Sequence, residues 1–300
     1  MSREKFIDWK PTPDSEQRLV TIGTILKQYR ADSITLTLRQ LYYQLVGLGV
    51  PNGGIANNIR EYERLGELLS KARLAGLVDW EAIEDRARRP VVWRRYDNIK
   101  QCVEEAAEGF ALQRWKTQPE YVELWCEKDA LSSVLRPICG ELFATLMVNR
   151  GYSSSSAMYE ARERVQRKRE DESGDHRPVT ILYLGDFDPS GEDMVRDIRD
   201  RFAMFQVEGI EVVKVALNPD QVKRWKLPPN PAKMSDSRAR KFVDEHGSQS
   251  YEVDAIPPRD LQKMVRSAIM SHMDMELYQE MLDEEKRLEN ELKAAIKGIE

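Results

Sequence analysis

Two apolar runs each close on acidic residues. Tyr121-Val122-Glu123-Leu124-Trp125-Cys126 ends in Glu127-Lys128-Asp129-Ala130, and Val179-Thr180-Ile181-Leu182-Tyr183-Leu184-Gly185 ends in Asp186-Phe187-Asp188-Pro189-Ser190-Gly191. Such runs predict buried strands, and helical patterns follow both, so a parallel sheet is expected with its ligands at the carboxyl ends of the strands. Residues two apart on extended backbone point the same way, with Cα atoms roughly 6 to 7 Å apart, so Asp186 and Asp188 can share one edge. Carboxylates this close repel, and a shared proton or a bound cation relieves them. The all-oxygen set Glu127, Asp186 and Asp188, without histidine, suits Mg²⁺ or Mn²⁺ better than zinc. The competing interpretation makes Asp186 a helix cap and Asp188-Pro189-Ser190-Gly191 an ordinary turn.

These strands need a frame. The chain has 300 residues, 41% hydrophobic and 32% charged, enough for one large domain or two ordinary ones around a real core. No apolar stretch approaches the ~18 residues of a membrane span, and Met1-Ser2-Arg3-Glu4-Lys5 lacks a signal-peptide core, so a cytoplasmic protein with no membrane partner is expected. Cys102, Cys126 and Cys139 lack metal-ligand spacing and are expected to be free buried thiols. The net charge of −5 argues weakly against a strongly basic nucleic-acid binder. Locally, however, Arg86, Arg88, Arg89, Arg94 and Arg95 form a basic stripe that either meets a DNA phosphate backbone or builds a solvated or salt-bridged surface.

Leu19, Ile22, Ile25, Leu26 and Tyr29 keep helical spacing behind Asp14 or Ser15. Ile34 to Thr37 reads as extended, Leu38, Leu41, Tyr42 and Leu45 form a second helical stripe, and a third helix covers 58–74. Gly76 to Trp80 then reads as a strand or wing. Three helices with a trailing strand predict a winged helix-turn-helix over 1–95. A connecting helix lies in 96–118. An α/β domain with a mostly parallel sheet of four or five strands follows over 119–272, its strands at 121–126, 144–148, 179–184, 210–217 and 251–256, and a charged helix closes the chain over 273–300.

In this order the elements resemble the A subunit of type IIB topoisomerases, topoisomerase VI, and its meiotic double-strand-break relative. Arg39-Gln40-Leu41-Tyr42-Tyr43 is similar to the family's Arg-x-apolar-aromatic-Tyr segment, and Glu127-Lys128-Asp129-Ala130 to its Glu-Lys-x-Ala. Asn149-Arg150-Gly151-Tyr152 resembles its Gly-Tyr element, and Tyr251 to Pro258 its closing Glu-Leu-Asp-Ala-Leu-Pro-Pro strand. The sequence departs from the pattern at Ser153-Ser154-Ser155, where Pro-Asp is usual, and at Phe187, which replaces a small residue. The resemblance implies a winged-helix domain with a tyrosine nucleophile, a Toprim domain that binds magnesium, and a homodimer in which the tyrosine of one protomer meets the metal of the other.

Helical geometry chooses between the two tyrosines. Tyr42 lies on the apolar stripe, whereas Tyr43 is rotated about 100° from it and shares a face with Arg39. Tyr43 is the expected nucleophile for double-stranded DNA, giving a 5′-phosphotyrosyl link. A phenol of pKa near ~10 needs help to attack phosphorus, which Arg39 could supply, while Lys128 would touch a phosphate beside the metal. No Walker A pattern occurs, so any ATP would be handled by a separate ATPase subunit. Two rivals remain: a Toprim nuclease that hydrolyses DNA with metal-activated water, in which Tyr43 is dispensable, and a non-catalytic DNA-binding regulator.

Overall fold

The computed structural model describes residues 3–84, 95–149, 151, 153–169, 176–231 and 239–297. The chain begins with helix α1 (Pro13–Arg30), a two-residue strand β1 (Leu36–Thr37), α2 (Leu38–Leu48) and α3 (Ile59–Leu74), and strand β2 (Ile83–Glu84) follows. Ile22, Ile25 and Leu26 of α1, Leu41 and Leu45 of α2, and Leu65 and Leu69 of α3 form the buried heart of this unit. Helix α2 opens with a capping box. The Gln40 N–H donates to Thr37 Oγ1 at 3.3 Å, and the Thr37 N–H donates to Gln40 Oε1 at 2.8 Å. That box sets where Arg39 and Tyr43 point.

The trailing strand expected at Gly76 to Trp80 lies later. Gly76 turns the chain at φ +73°, and the Asp79 carboxylate accepts the Glu81 N–H at 3.0 Å, which starts a 3₁₀ turn over Trp80–Ala82. Strand pairing begins only at Ile83, where β2 pairs in parallel with β1.

Helix α4 (Ile99–Glu108) leads to the second unit, which alternates β3 (Tyr121–Cys126), α5 (Ser132–Glu141), β4 (Thr145–Val148), α6 (Ser155–Arg169), β5 (Val179–Leu184), α7 (Pro189–Met204), β6 (Ile210–Ala216) and α8 (Pro219–Trp225). The strands make one parallel sheet in the order β4-β3-β5-β6. Every residue of β3 and β5 is buried, as expected for central strands covered on both faces. Glu123 and Trp125 point to the face packed by α6 and α7. Glu123 takes two bonds from Arg164, and Trp125 lies 5.8 Å from Phe202. A small hairpin, β7 (Asn230–Pro231) with β8 (Gln249–Ser250), flanks α9 (Ala239–His246). Helix α10 (Pro258–Met270) packs on α5, and the last helix, α11 (Met275–Ile296), packs on α4. Arg114 Nη2 reaches Glu285 of α11 at 2.7 Å, so the closing helix lies against its own chain.

The fifth strand expected at 251–256 does not join the sheet. Tyr251 exchanges two hydrogen bonds of 2.9 Å with Phe187 in a single antiparallel bridge, and Val253–Ala255 then closes into a 3₁₀ turn. The Val253 N–H is taken by the Asp186 side chain, and Pro257 and Pro258 have none to offer, so a ladder cannot extend here. Cys126 and Cys139 are buried free thiols, and Cys102 is half-buried. Among the described residues, no helix is long and apolar enough to cross a membrane.

Candidate active site

Backbone pairing brings the acidic residues together. The ladder runs one residue past β3, where the Glu127 N–H donates to Leu184 O at 3.0 Å, and so Glu127 lies beside the end of β5. Glu127 Oε2 accepts the Tyr183 hydroxyl at 3.3 Å and the Asp186 N–H at 3.4 Å. The bridge between Phe187 and Tyr251 carries Glu252 and Asp254 to the same edge. Asp188 is the N-cap of α7, its Oδ1 accepting Gly191 N–H at 2.7 Å and Ser190 Oγ at 2.9 Å. The competing interpretation made Asp186 the helix cap, but the cap is Asp188. Glu127, Asp186, Asp188, Glu252 and Asp254 line one cleft of about 410 Å³, together with Lys128 and Arg39.

A lysine stands among these acids. Lys128 Nζ lies 2.8 Å from Asp186 Oδ2, 2.5 Å from Glu252 Oε2 and 3.4 Å from Asp254 Oδ2. Burial alone would lower the ammonium's pKa, but the three carboxylates outweigh it and hold Lys128 charged well above its ordinary range. Asp186 is pushed up to about 7, chiefly by burial, because one ammonium shared three ways only partly offsets burial and the nearby Glu252 and Glu127. Glu252 stays low despite its burial because Lys128 and Arg39 both pair with it.

Arg39 crosses from α2 to this edge, pairing with Glu252 and placing Nε 3.0 Å from Asp254 Oδ2. One helical turn on, its guanidinium carbon lies 5.8 Å from the Tyr43 ring centroid. Tyr43 is 5% exposed, as is Tyr42. The two differ in their surroundings: the Tyr42 hydroxyl donates to Asn57 Oδ1 at 2.8 Å inside the helical unit, whereas Tyr43 senses Glu252, Arg39, Asn230 and Lys128. Burial and then Glu252 raise the Tyr43 phenol, and Arg39, a hydrogen bond with the Asn230 side chain and Lys128 pull it down.

The donor set is all oxygen, and Asp254 is 1% exposed with neither carboxylate oxygen in a hydrogen bond, so the cleft keeps acceptor capacity for a hard cation. All-oxygen donors are of the type that Mg²⁺ or Mn²⁺ takes. Among the described residues, no three acidic, histidine or cysteine side chains converge closely enough to hold a metal, and the cation at the centre is Lys128.

Glu252 and Asp254 were expected only as parts of the closing strand, and Asn230 was not singled out. The signal for the first two was present: acids two apart, a few residues before Pro257-Pro258. Of the basic stripe, Arg95 is exposed ahead of α4, while Arg86, Arg88, Arg89 and Arg94 lie outside the described residues, as do Arg150 and Tyr152. No protein-family model matches the chain, and no curated protein matches it.

Proposed function

We propose that this protein cleaves double-stranded DNA in a metal-dependent reaction, as a relative of the type IIB topoisomerase A subunit with a winged-helix unit and a Toprim unit. The observation that carries this reading is Arg39, which reaches from α2 to Glu252 and Asp254 and so puts Tyr43 in the same neighbourhood as the carboxylates of its own chain at the ends of β3 and β5, rather than those of a second protomer as the resemblance implies. Glu127, Asp186 and Asp188 would hold Mg²⁺ or Mn²⁺. A cation bound there supplies charge stabilisation at the phosphate and positions the 3′ oxygen.

The Tyr43 oxygen gives up its proton as it attacks phosphorus, and the 3′ oxygen leaves and takes up a proton as the 3′ hydroxyl, which gives the 5′-phosphotyrosyl link. Burial makes the free phenol a poor nucleophile at neutral pH, so the positive charge of Arg39 beside the ring has to stabilise the developing phenolate. Arg39 is held for this by its two acidic partners. Two copies of the chain facing one duplex would cut both strands, and any ATP-driven step would fall to a separate subunit.

One observation favours hydrolysis by metal-activated water instead: Tyr43 is 5% exposed. Incubation with supercoiled plasmid and Mg²⁺ or Mn²⁺, stopped with detergent and split with and without protease, separates the two. Protein-linked breaks that vanish in Tyr43→Phe are expected; free-ended breaks that survive the substitution would replace this reading with the nuclease.

A further inference from the structure

We infer that Lys128 is a tethered counter-ion that fills the cleft's cation position and exchanges places with the divalent metal. This rests on the metal-dependent reading above.

The carboxylates that meet Lys128 come from two separate segments, the end of β5 and the 3₁₀ turn after β8. Asp186 Oδ1 accepts the Val253 N–H at 2.8 Å, and Oδ2 faces the ammonium at 2.8 Å. A divalent metal on Oδ2 would sit at contact range of the lysine's charge. Glu127 and Asp188 face the same cleft, and among the described residues neither has an ion-pair partner. The cleft therefore holds acidic groups that Lys128 neutralises and others that it does not. A divalent ion beside a retained ammonium would be repelled at contact range, where screening by water is weakest.

Lysine suits this role. Its four-carbon stem is flexible and its head is a compact point charge, and the Lys128 side chain remains 19% exposed, so it can swing into solvent without disturbing β3, which ends two residues earlier. Without metal, Lys128 keeps the acids from repelling one another; with metal it leaves and is free for an anionic phosphate at the mouth of the cleft.

The test is Mn²⁺ binding to the full chain, read by electron paramagnetic resonance of free Mn²⁺ at fixed pH, for wild type and Lys128→Met. Removing the competitor is expected to tighten Mn²⁺ by about tenfold, within the usual range of coupling between ligands. In metal-free buffer the variant should melt below wild type, and saturating Mn²⁺ should narrow that gap. A second measurement needs no variant. Acylation of Lys128 in the wild type, read by peptide mass spectrometry against the exposed Lys27, should rise severalfold when Mn²⁺ saturates. Mn²⁺ binding that Lys128→Met leaves equal or weaker, or unchanged Lys128 labelling at saturation, overturns the exchange while the metal-dependent reading stands. No Mn²⁺ binding to either chain overturns both.

Discussion

Arg39 Nε lies 3.0 Å from Asp254 Oδ2, joining the second helix of the first unit to a carboxylate that is 1% exposed in the second. Asp254 has no hydrogen bond of its own, so its charge depends on Arg39 and on Lys128 at 3.4 Å. Asn57 and Arg259 add contacts between the units: the Asn57 amide donates to Pro229 O at 3.2 Å, and Arg259 donates to Gln28 O at 2.8 Å.

Arg39→Ala leaves the buried Asp254 with Lys128 at 3.4 Å as its remaining ion-pair partner. Losing one partner of a fully buried pair costs about 3–5 kcal/mol, and because Arg39 is partly exposed, about 2 kcal/mol is expected here. Asp254→Asn removes the charge that would lose a partner and should cost less. Urea denaturation of both variants checks the order; equal costs would place the loss in the packing of Arg39 rather than in its ion pair with Asp254.

Glu123 is a second buried acid, fully satisfied. It accepts Arg164 Nε at 2.8 Å and Nη2 at 2.9 Å, Trp125 Nε1 at 2.8 Å and the Tyr121 hydroxyl at 3.0 Å, in the middle of β3. Arg164→Met should destabilise by about 3 kcal/mol, since it leaves a carboxylate unpaired at 0% exposure. Adding Glu123→Leu should recover more than half of that loss. A double variant as unstable as the single one would place the cost in lost packing around Arg164 rather than in the orphaned charge.

The two central strands were legible because burial on both faces leaves a nearly unbroken apolar run. The runs Tyr121–Cys126 and Val179–Leu184 coincide with β3 and β5, and the acids after them fall at one sheet edge. Tyr251 to Ile256 has a similar apolar content and was misread as a strand, because its conformation is set by a partner far away in sequence, the Asp186 carboxylate that accepts the Val253 N–H. Lys128 was expected beside the acidic residues, but its three partners were not legible. A lysine after a strand usually reaches solvent, and here three distant carboxylates turn it inward. The separation of Tyr42 from Tyr43 followed from helical angle alone, but the burial of Tyr43 did not, because its cover includes Asn230 of the other unit.

The Glu285 contacts set a dependence on pH. Burial alone would raise this carboxyl, but Arg114 and the Leu112 N–H, which donates at 2.8 Å, hold it below its ordinary 4.5. A folded value below the unfolded one means that the contribution is fully present above about pH 4.5 and is lost as pH falls through the folded value. Glu285→Gln should therefore melt below wild type at pH 7, with the gap closing as pH drops toward 3. A gap that is constant across that range would mean that α11 is held by packing and not by this charge.

Gly191 sets the spacing between the two aspartates. A Cβ there would lie 2.1 Å from Asp186 O and 3.0 Å from the Asp186 carbonyl carbon, both backbone atoms that no rotamer change can clear. The Gly191 N–H also caps onto Asp188 Oδ1 at 2.7 Å, so the glycine lets the first turn of α7 fold back over the end of β5. Gly191→Ala should push Asp186 away from Lys128 and weaken the Asp188 cap, a change whose capping part alone is worth about 1 kcal/mol. The expected outcome is a lower melting temperature together with a loss of Mn²⁺ binding. Gly140→Ala, on a helix where a new Cβ meets nothing within 4 Å, should leave both intact. If Gly191→Ala lowered stability but bound Mn²⁺ as wild type does, the close approach would matter to the helix start alone, and the positions of Asp186 and Asp188 would have to be fixed by the bridge to Tyr251.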